Sequence, residues 1–433
     1  MNTKNLPQEN HSTSMNRSLR LDWLTFVLYL FLVGIGIINI YSSTYDINQP
    51  ELLNLNRSIG KQLLFFGISM GAVIFILAAP SKIFERFASI IYLIVIILLI
   101  GLFPFGNTIS GARSWYVFGS ISLQPTEFAK VATALAIAKL LSEIQIDLKR
   151  WKSLFQILIV IGLPMGLILI QPDAGSVLVF GAFLFVLFRE GLPTPYLLIV
   201  GGLIFFFVLT LIAPLTFVYV SILFVVISLY FFSKKVNKKA LFSPYLLAII
   251  ICCSYVYSVD YIFYEIFEQR HRDRFNIVLG KEVDTQGIGY NLNQSKIAIG
   301  SGGWEGKGFL QGTQTKGGFV PQQHTDYIFS TVGEEWGFIG SATVVVLFSL
   351  LILRILSRAE VQKNKFSRIF AYATASILFV HFLVNIGMSV GLIPTIGIPL
   401  PFVSYGGSSL LAFSLLIGIY LNLDANRLNE SSF

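Results

Sequence analysis

Residues 317–329 read GGFVPQQHTDYIF, so Gln322, Gln323, His324, Thr325 and Asp326 set amide, imidazole, hydroxyl and carboxylate groups side by side next to a long apolar run. Partial burial beside such a run can lift a carboxylate's pKa into a range where it exchanges protons, and Asp326 therefore reads as a catalytic acid or base. The plainer alternative is that Asp326 or Thr325 caps the helix that follows. One His and one Asp do not specify zinc, and no HEXXH-like spacing accompanies them.

Three more polar clusters interrupt the apolar sequence. The first is GARSWYVFGSISLQPTEFAK, Gly111 to Lys130, in which Pro125 suits a first helical turn and Thr126 and Glu127 suit its positive end. Glu127 and Lys130 are three apart, share a helix face and can pair. A structural ion pair is the plain reading, and contact of Arg113 or Lys130 with a substrate phosphate is the functional one. The second is QPDAGS, Gln171 to Ser176, where Asp173 either caps the next helix or serves a catalytic or metal role. The third is a stretch in which ten of the 36 glycines fall between Gly287 and Gly318. Its segment NQSKIAIGSGGWEGKGF interleaves apolar and aromatic residues, which predicts a loop that packs back on the rest of the protein rather than a linker. No Walker lysine motif or dinucleotide fingerprint is present, which argues against nucleotide binding. His381 and His11 have no motif around them, and His271 lies among basic residues suited to anionic lipid or substrate.

The elements that must position these groups follow from composition. The 433 residues are 55% hydrophobic and 12% charged, about half the charge of a soluble domain. Mean hydropathy is +0.73, and many apolar runs approach the roughly 20 residues a helix needs to cross a bilayer. Long apolar blocks do not alternate as barrel strands do. The expected fold is all-α, a polytopic integral membrane protein with about twelve helices. The spans are placed at 22–42, 61–79, 86–104, 125–142, 154–171, 174–188, 195–213, 216–232, 243–258, 337–356, 368–391 and 407–423. The first run follows a polar tail and lacks a small-residue cleavage site, so it reads as a retained helix. Cys252 and Cys253 are adjacent within one span and read as packing residues.

With the N-terminus in the cytoplasm, inner segments hold nineteen of the 31 Lys and Arg, and the short outer loops only Arg57, Lys61 and Arg113. Both termini are then cytoplasmic, as tails 1–21 and 424–433. A single membrane domain covers 22–423, with the long loop 259–336 facing out. The net charge of +8 is thus a topology signal with attraction for anionic membrane lipids, not a nucleic-acid footprint. No internal repeat is evident, and the mid-span segments are nearly devoid of charge.

The four clusters, in this order, resemble the SEDS family of bacterial cell-wall polymerases. The matching stretches are QPTEFAK, QPDAGS, QSKIAIGSGGWEGKG, GTQTKGGFVPQQHTDYIF, GEEWGFIG and NIGMSVGLIPTIGIPLPFVSYGGSS, and counted from Arg113 in the first cluster the resemblance runs to Ser409. GGFVPQQHTDYIF and GIPLPFVSYGG look more like the elongation (RodA-like) branch than the division one. The resemblance implies a peptidoglycan glycosyltransferase that polymerises lipid II at the outer face of the bacterial cytoplasmic membrane during cell elongation and releases undecaprenyl diphosphate. It also implies a complex with a class B penicillin-binding protein, the transpeptidase, and the elongation machinery. Family members look like ten-helix proteins, so two surplus spans are assigned to an insertion within 195–258.

An α-linked donor and a β-linked product require a single inverting displacement with one base, a role the resemblance carries to Asp326. The diphosphate needs cations; Arg113, Lys130, Arg274 and Lys296 are the candidates, with Glu127, His324, Gln322 and Ser404 as further substrate contacts. A divalent cation, Mg or Mn, would be held by Asp326 or Asp173, and no organic cofactor is expected. A lipid II flippase and a non-enzymatic scaffold are the rival readings.

Overall fold

A computed structural model describes residues 21–45, 57–109, 111–119, 121–143, 146–236, 241–267, 269–281 and 288–427. The tail residues 1–20 and 428–433, with His11, and the inner-loop Lys238 and Lys239 lie outside the described residues. The chain divides into two compact units, one of residues 1–192 with 291–433 and one of residues 193–290.

The first unit contains helices α1 (Trp23–Thr44), α2 (Ser58–Ala78), α3 (Lys82–Phe105), α4 (Pro125–Ser142), α5 (Trp151–Ile170), α6 (Ala174–Val179) and α7 (Ala182–Arg189). Between α3 and α4, strands β1 (Asn107–Ile109), β2 (Ala112–Phe118) and β3 (Ile121–Leu123) form an antiparallel sheet in the order β1-β2-β3. The sheet occupies a segment expected from the sequence to be a short outer loop. The second unit contains α8 (Thr194–Ile212), α9 (Leu215–Val236), α10 (Ser243–Tyr261) with a π turn at Ile262–Ile266, and α11 (Gln269–Val278). Helix α12 (Ile288–Ser301) crosses the boundary between the units. Helices α13 (Thr313–Lys316), α14 (Ile328–Glu360), α15 (Lys365–Val390) and α16 (Gly407–Ala425) complete the first unit.

A helix stands at each of the twelve expected spans. Among the described residues ten helices are long and apolar enough to cross a membrane, so the chain is an all-α multi-pass membrane protein. The others are α4 and the pair α6–α7. α6 starts where Asp173 accepts the Ser176 N–H, and α15 starts where the Asn364 side chain accepts the Phe366 and Ser367 N–H groups. Helix α15 ends at Gly391 with φ 84°, the left-handed conformation that closes many helices. Helices α4, α15 and α16 are buried on nearly all sides, and α4 packs on both of the others. Polar residues on those three helices therefore face protein rather than lipid.

Helix α14 begins nine residues before the span expected from the apolar pattern and is broken at Gly337 (φ 62°, ψ −154°). In an unbroken helix the Phe338 and Ile339 N–H groups would donate to the carbonyls of Glu334 and Glu335. Here they donate to Gly303 O (2.8 Å) and Trp304 O (3.2 Å). The Glu334 and Glu335 carbonyls accept instead from the N–H groups of Lys307 (2.9 Å) and Gly308 (3.0 Å). The glycine-rich loop thus replaces the ladder bonds the kink removes. This is the packing expected of NQSKIAIGSGGWEGKGF, and side chains at Gly302 or Gly306 would collide with the Gly333 and Glu335 carbonyls. The Glu334 carboxylate, fully buried, accepts from Lys307 Nζ (2.7 Å) and the N–H groups of Gln314 (2.8 Å) and Thr315 (2.9 Å). Glu335 accepts from the Ser42 hydroxyl on α1.

At the opposite end of α1, Asp22 receives Arg354 (2.9 Å), and Arg358 binds Asp424 (2.5 Å). Burial pushes the Asp22 carboxyl up, but the hydrogen bonds from Arg354 and Thr25 and the charges of Arg354 and Arg358 together hold the group below its ordinary value. In the second unit, Val218, Ile222 and Val256 form a small core against which Cys252 and Cys253 pack. Both cysteines are unbridged, in keeping with the packing role expected of them.

Candidate active site

The Gln322–Asp326 stretch precedes α14, and its backbone is held from α15 and from the segment between α15 and α16. Three consecutive carbonyls are gripped. His324 O accepts from the Tyr405 N–H (2.8 Å), Thr325 O from Ser404 Oγ (2.6 Å), and Asp326 O from Asn385 Nδ2 (2.9 Å). Ser404 Oγ also accepts the Leu400 N–H (2.9 Å), and Asn385 Nδ2 also donates to Ile398 O (2.7 Å). Gln323 Nε2 reaches Ser43 O at the end of α1 (2.8 Å). Val320 and Tyr327 pack with Ala298 of α12. Asp326 is partly buried, and the chain at Gly397 (φ 77°) passes so close that a Cβ there would lie 3.5 Å from Asp326 Oδ2. The N-cap position of α14 falls on Tyr327, whose side chain makes no capping bond.

His324 is half-buried, its ring lies 5.4 Å from that of Tyr405, and burial lowers its imidazole below the ordinary value. Gln322 is exposed and adopts φ 55°. Both side chains are at least partly exposed within four residues of Asp326. Ser404 is not: it is 4% exposed and spends its hydroxyl on the loop.

Glu127 and Lys130 pair as expected (2.7 Å), but they are 3% and 2% exposed. Lys130 Nζ also contacts His381 Nε2 (2.9 Å) and lies over the Phe413 ring. Burial on α4 turns the pair inward, so in this structure neither Lys130 nor Glu127 is exposed to meet the diphosphate expected of them. Arg113, on β2, is exposed and donates through Nε to Gly106 O (3.0 Å), closing the end of α3. Lys296 is exposed, and its Nζ packs against Gly391 at the negative end of α15. Arg274 lies on α11 in the second unit, partly buried.

The metal reading finds no support in the donor set. Asp173 Oδ1 accepts the Ser176 N–H (3.1 Å), and its Oδ2 accepts Ser176 Oγ (2.9 Å) and Gln124 Nε2 (3.3 Å). Both oxygens are engaged by donors, which is the arrangement of a cap. Among the described residues no three His, Cys, Asp or Glu side chains come together. Asp173 thus does not fit a cation ligand, and no step below is routed through a metal.

Sequence reasoning missed His381 and Asn385. Their signal was present: two polar residues four apart on an otherwise apolar span share one face and need partners.

A helical bundle that spans the membrane and holds a half-buried carboxylate rigidly at one end is the framework of a membrane-embedded enzyme. The sequence profile of the cell cycle protein family FtsW/RodA/SpoVE matches residues 22–222 and 215–429, and the chain belongs to that family. It is 33% identical over 407 residues to the peptidoglycan glycosyltransferase MrdB of Escherichia coli K12, covering 93% of each chain. It is also 33% identical over 433 residues to the peptidoglycan glycosyltransferase RodA of Treponema pallidum, covering 94% of this chain and 98% of that one. Among solved structures, a chain from a peptidoglycan synthase complex that coordinates polymerization and crosslinking superposes with a TM-score of 0.68. It shares 25% identity and matches over 94% of this chain and 99% of that one. The rod shape determining protein RodA of Thermus thermophilus has the same fold, with a TM-score of 0.61 at 24% identity over 94% and 98% of the two chains.

Proposed function

We propose that Asp326 is the general base of a peptidoglycan glycosyltransferase that joins lipid II into glycan strands at the outer face of the cytoplasmic membrane. The glycosyltransferase activity is that of the relatives matching along the whole chain. The observation that carries the assignment to Asp326 is the grip on its backbone, with three successive carbonyls bonded to Tyr405, Ser404 and, on α15, Asn385.

Asp326 takes the proton of the attacking sugar hydroxyl as that oxygen bonds to the anomeric carbon of the donor. The bond from that carbon to the diphosphate breaks, and undecaprenyl diphosphate leaves with the electron pair. One displacement inverts an α-linked donor into a β-linked product, so no second carboxylate is needed as nucleophile. General-base help supplies about 10²–10⁴-fold; cations near the departing diphosphate supply more. Exposed Arg113 and Lys296 suit that role, and Arg's planar fork favours Arg113. The basic-residue distribution supports cytoplasmic termini and an outward Asp326. Likeness to a chain from a synthase complex supports a class B penicillin-binding protein as partner.

Purified protein in detergent, given lipid II and its transpeptidase partner, tests the reading without any membrane sidedness. Wild type is expected to yield glycan strands and Asp326→Asn to lose about 10²-fold or more of the rate. Strand synthesis at the wild-type rate by Asp326→Asn would overturn the assignment.

A further inference from the structure

Helix α15 places His381 and Asn385 one turn apart on the same face, 1% and 0% exposed, and both reach the same short segment. Asn385 Nδ2 bridges Asp326 O (2.9 Å) and Ile398 O (2.7 Å). His381 Nδ1 meets the next carbonyl, Pro399 O, at 3.1 Å, and its Nε2 meets Lys130 Nζ at 2.9 Å. An ammonium only donates, so Nε2 accepts from Lys130 and Nδ1 carries the proton given to Pro399 O. Lys130 is in turn seated on Glu127. Carbonyls 398 and 399 are thus fixed by two side chains of one rigid helix, and one of these side chains also holds the backbone of Asp326.

We propose that Asn385 is a positioning residue for the glycosyl transfer: it ties the Asp326 backbone to the Ile398–Pro399 segment, which His381 anchors to the buried Lys130–Glu127 pair, and so aims the Asp326 carboxylate. With the carbonyls of 324, 325 and 326 bonded, the Cα–Cβ direction of Asp326 is set and only its two side-chain torsions are left. A bridging amide suits this task because its two N–H groups serve two carbonyls from different segments, which a hydroxyl with one proton does not. The proposal rests on Asp326 being the base.

The test uses the full chain with its partner in detergent and lipid II as probe. Asn385→Leu, similar in volume but without a donor, is expected to lower kcat about 10²-fold, as a misplacement of roughly an ångström does. KM for lipid II is expected to stay close to wild type, and the thermal midpoint to fall because two buried carbonyls lose their donor, with the protein still folded at the assay temperature. Asn385→Gln, which keeps the donor on a longer arm, is expected to recover part of the rate; if Asn385→Leu does not fold, this variant is judged by the same split. In an Asp326→Asn background, Asn385→Leu is expected to cost nothing further, because a residue acting through Asp326 then has nothing to aim. Equal losses in both backgrounds, a loss carried by KM or by unfolded protein, or an unchanged kcat would each overturn the proposal. Inactive Asp326→Asn with fully active Asn385→Leu removes the clamp alone, whereas active Asp326→Asn removes the base assignment as well.

Discussion

Two neighbours in the site carry polar groups of opposite consequence. Both are held by their carbonyls, and His324 is packed through its ring as well, half-buried against Tyr405 with its imidazole lowered by that burial. The sign of the pH effect follows. Below its ordinary value near 6.5, the unfolded chain binds a proton that the folded His324 refuses, so stability falls as pH drops through that value toward the lowered one. The thermal midpoint is expected to decline between about pH 7.5 and 5.5, and His324→Gln to remove that component of the decline. Midpoints of the two proteins measured across this range check it, and parallel curves would exclude His324 as the source. The chemistry of this stretch was legible in residue types alone. The partners were not: Asn385 and Ser404 lie 59 and 79 positions from the residues they hold, and separations of that kind leave no local periodicity.

At the scale of elements, the interlock of the glycine-rich loop with α14 depends on one backbone conformation. Gly337 sits at φ 62°, and a Cβ there would run into Gly306 N and lie 2.7 Å from Trp304 O. Gly337→Ala must therefore adopt a disfavoured left-handed backbone and also push the loop away. The expected cost is about 2–4 kcal/mol, seen as a lower thermal midpoint and as new protease cleavage within 303–308. An unchanged midpoint with an intact loop would contradict the interlock. Composition predicted that this loop packs back. It did not predict that α14 extends nine residues before its apolar stretch, because Glu334 and Glu335 look like loop residues until their buried partners are known. The sheet at 107–123 was hidden for a related reason: β1 and β3 have three residues each, and ARSWYVF of β2 does not alternate apolar with polar residues.

Across the whole molecule, charge separates into two ends. Asp22, Arg354, Arg358 and Asp424 pair at one end of the bundle, while Asp326 and the glycine-rich loop lie at the other. If the Asp22 end is cytoplasmic, Lys149 and Glu305, both exposed, lie on opposite sides of the membrane. In a chain with Cys252 and Cys253 replaced by Ser, a membrane-impermeant thiol reagent is expected to label Glu305→Cys in intact cells. Lys149→Cys is expected to react only after permeabilisation. Labelling of both, or the reverse pattern, would invert the proposed orientation.

The sequence by itself determined that the chain is a bundle of membrane helices, because the cost of unsatisfied backbone in lipid leaves few alternatives for runs this long and apolar. It also determined where the chemistry-bearing residues fall along the chain and, through its motifs, the family to which they belong. Only the tertiary structure decided which of those residues are presented and which are internal. Lys130, Glu127 and Ser404 have the residue types of substrate contacts, yet burial on packed helices and loops spends them on neighbours. Conversely, His381 has no motif around it and Asn385 stands only as the first residue of NIGMSVGLIPTIGIPLPFVSYGGSS, and the fold brings both against the segment that holds GGFVPQQHTDYIF in place. Burial and hydrogen-bond partners depend on contacts between distant segments, and it is those contacts that sort polar residues into presented and internal ones.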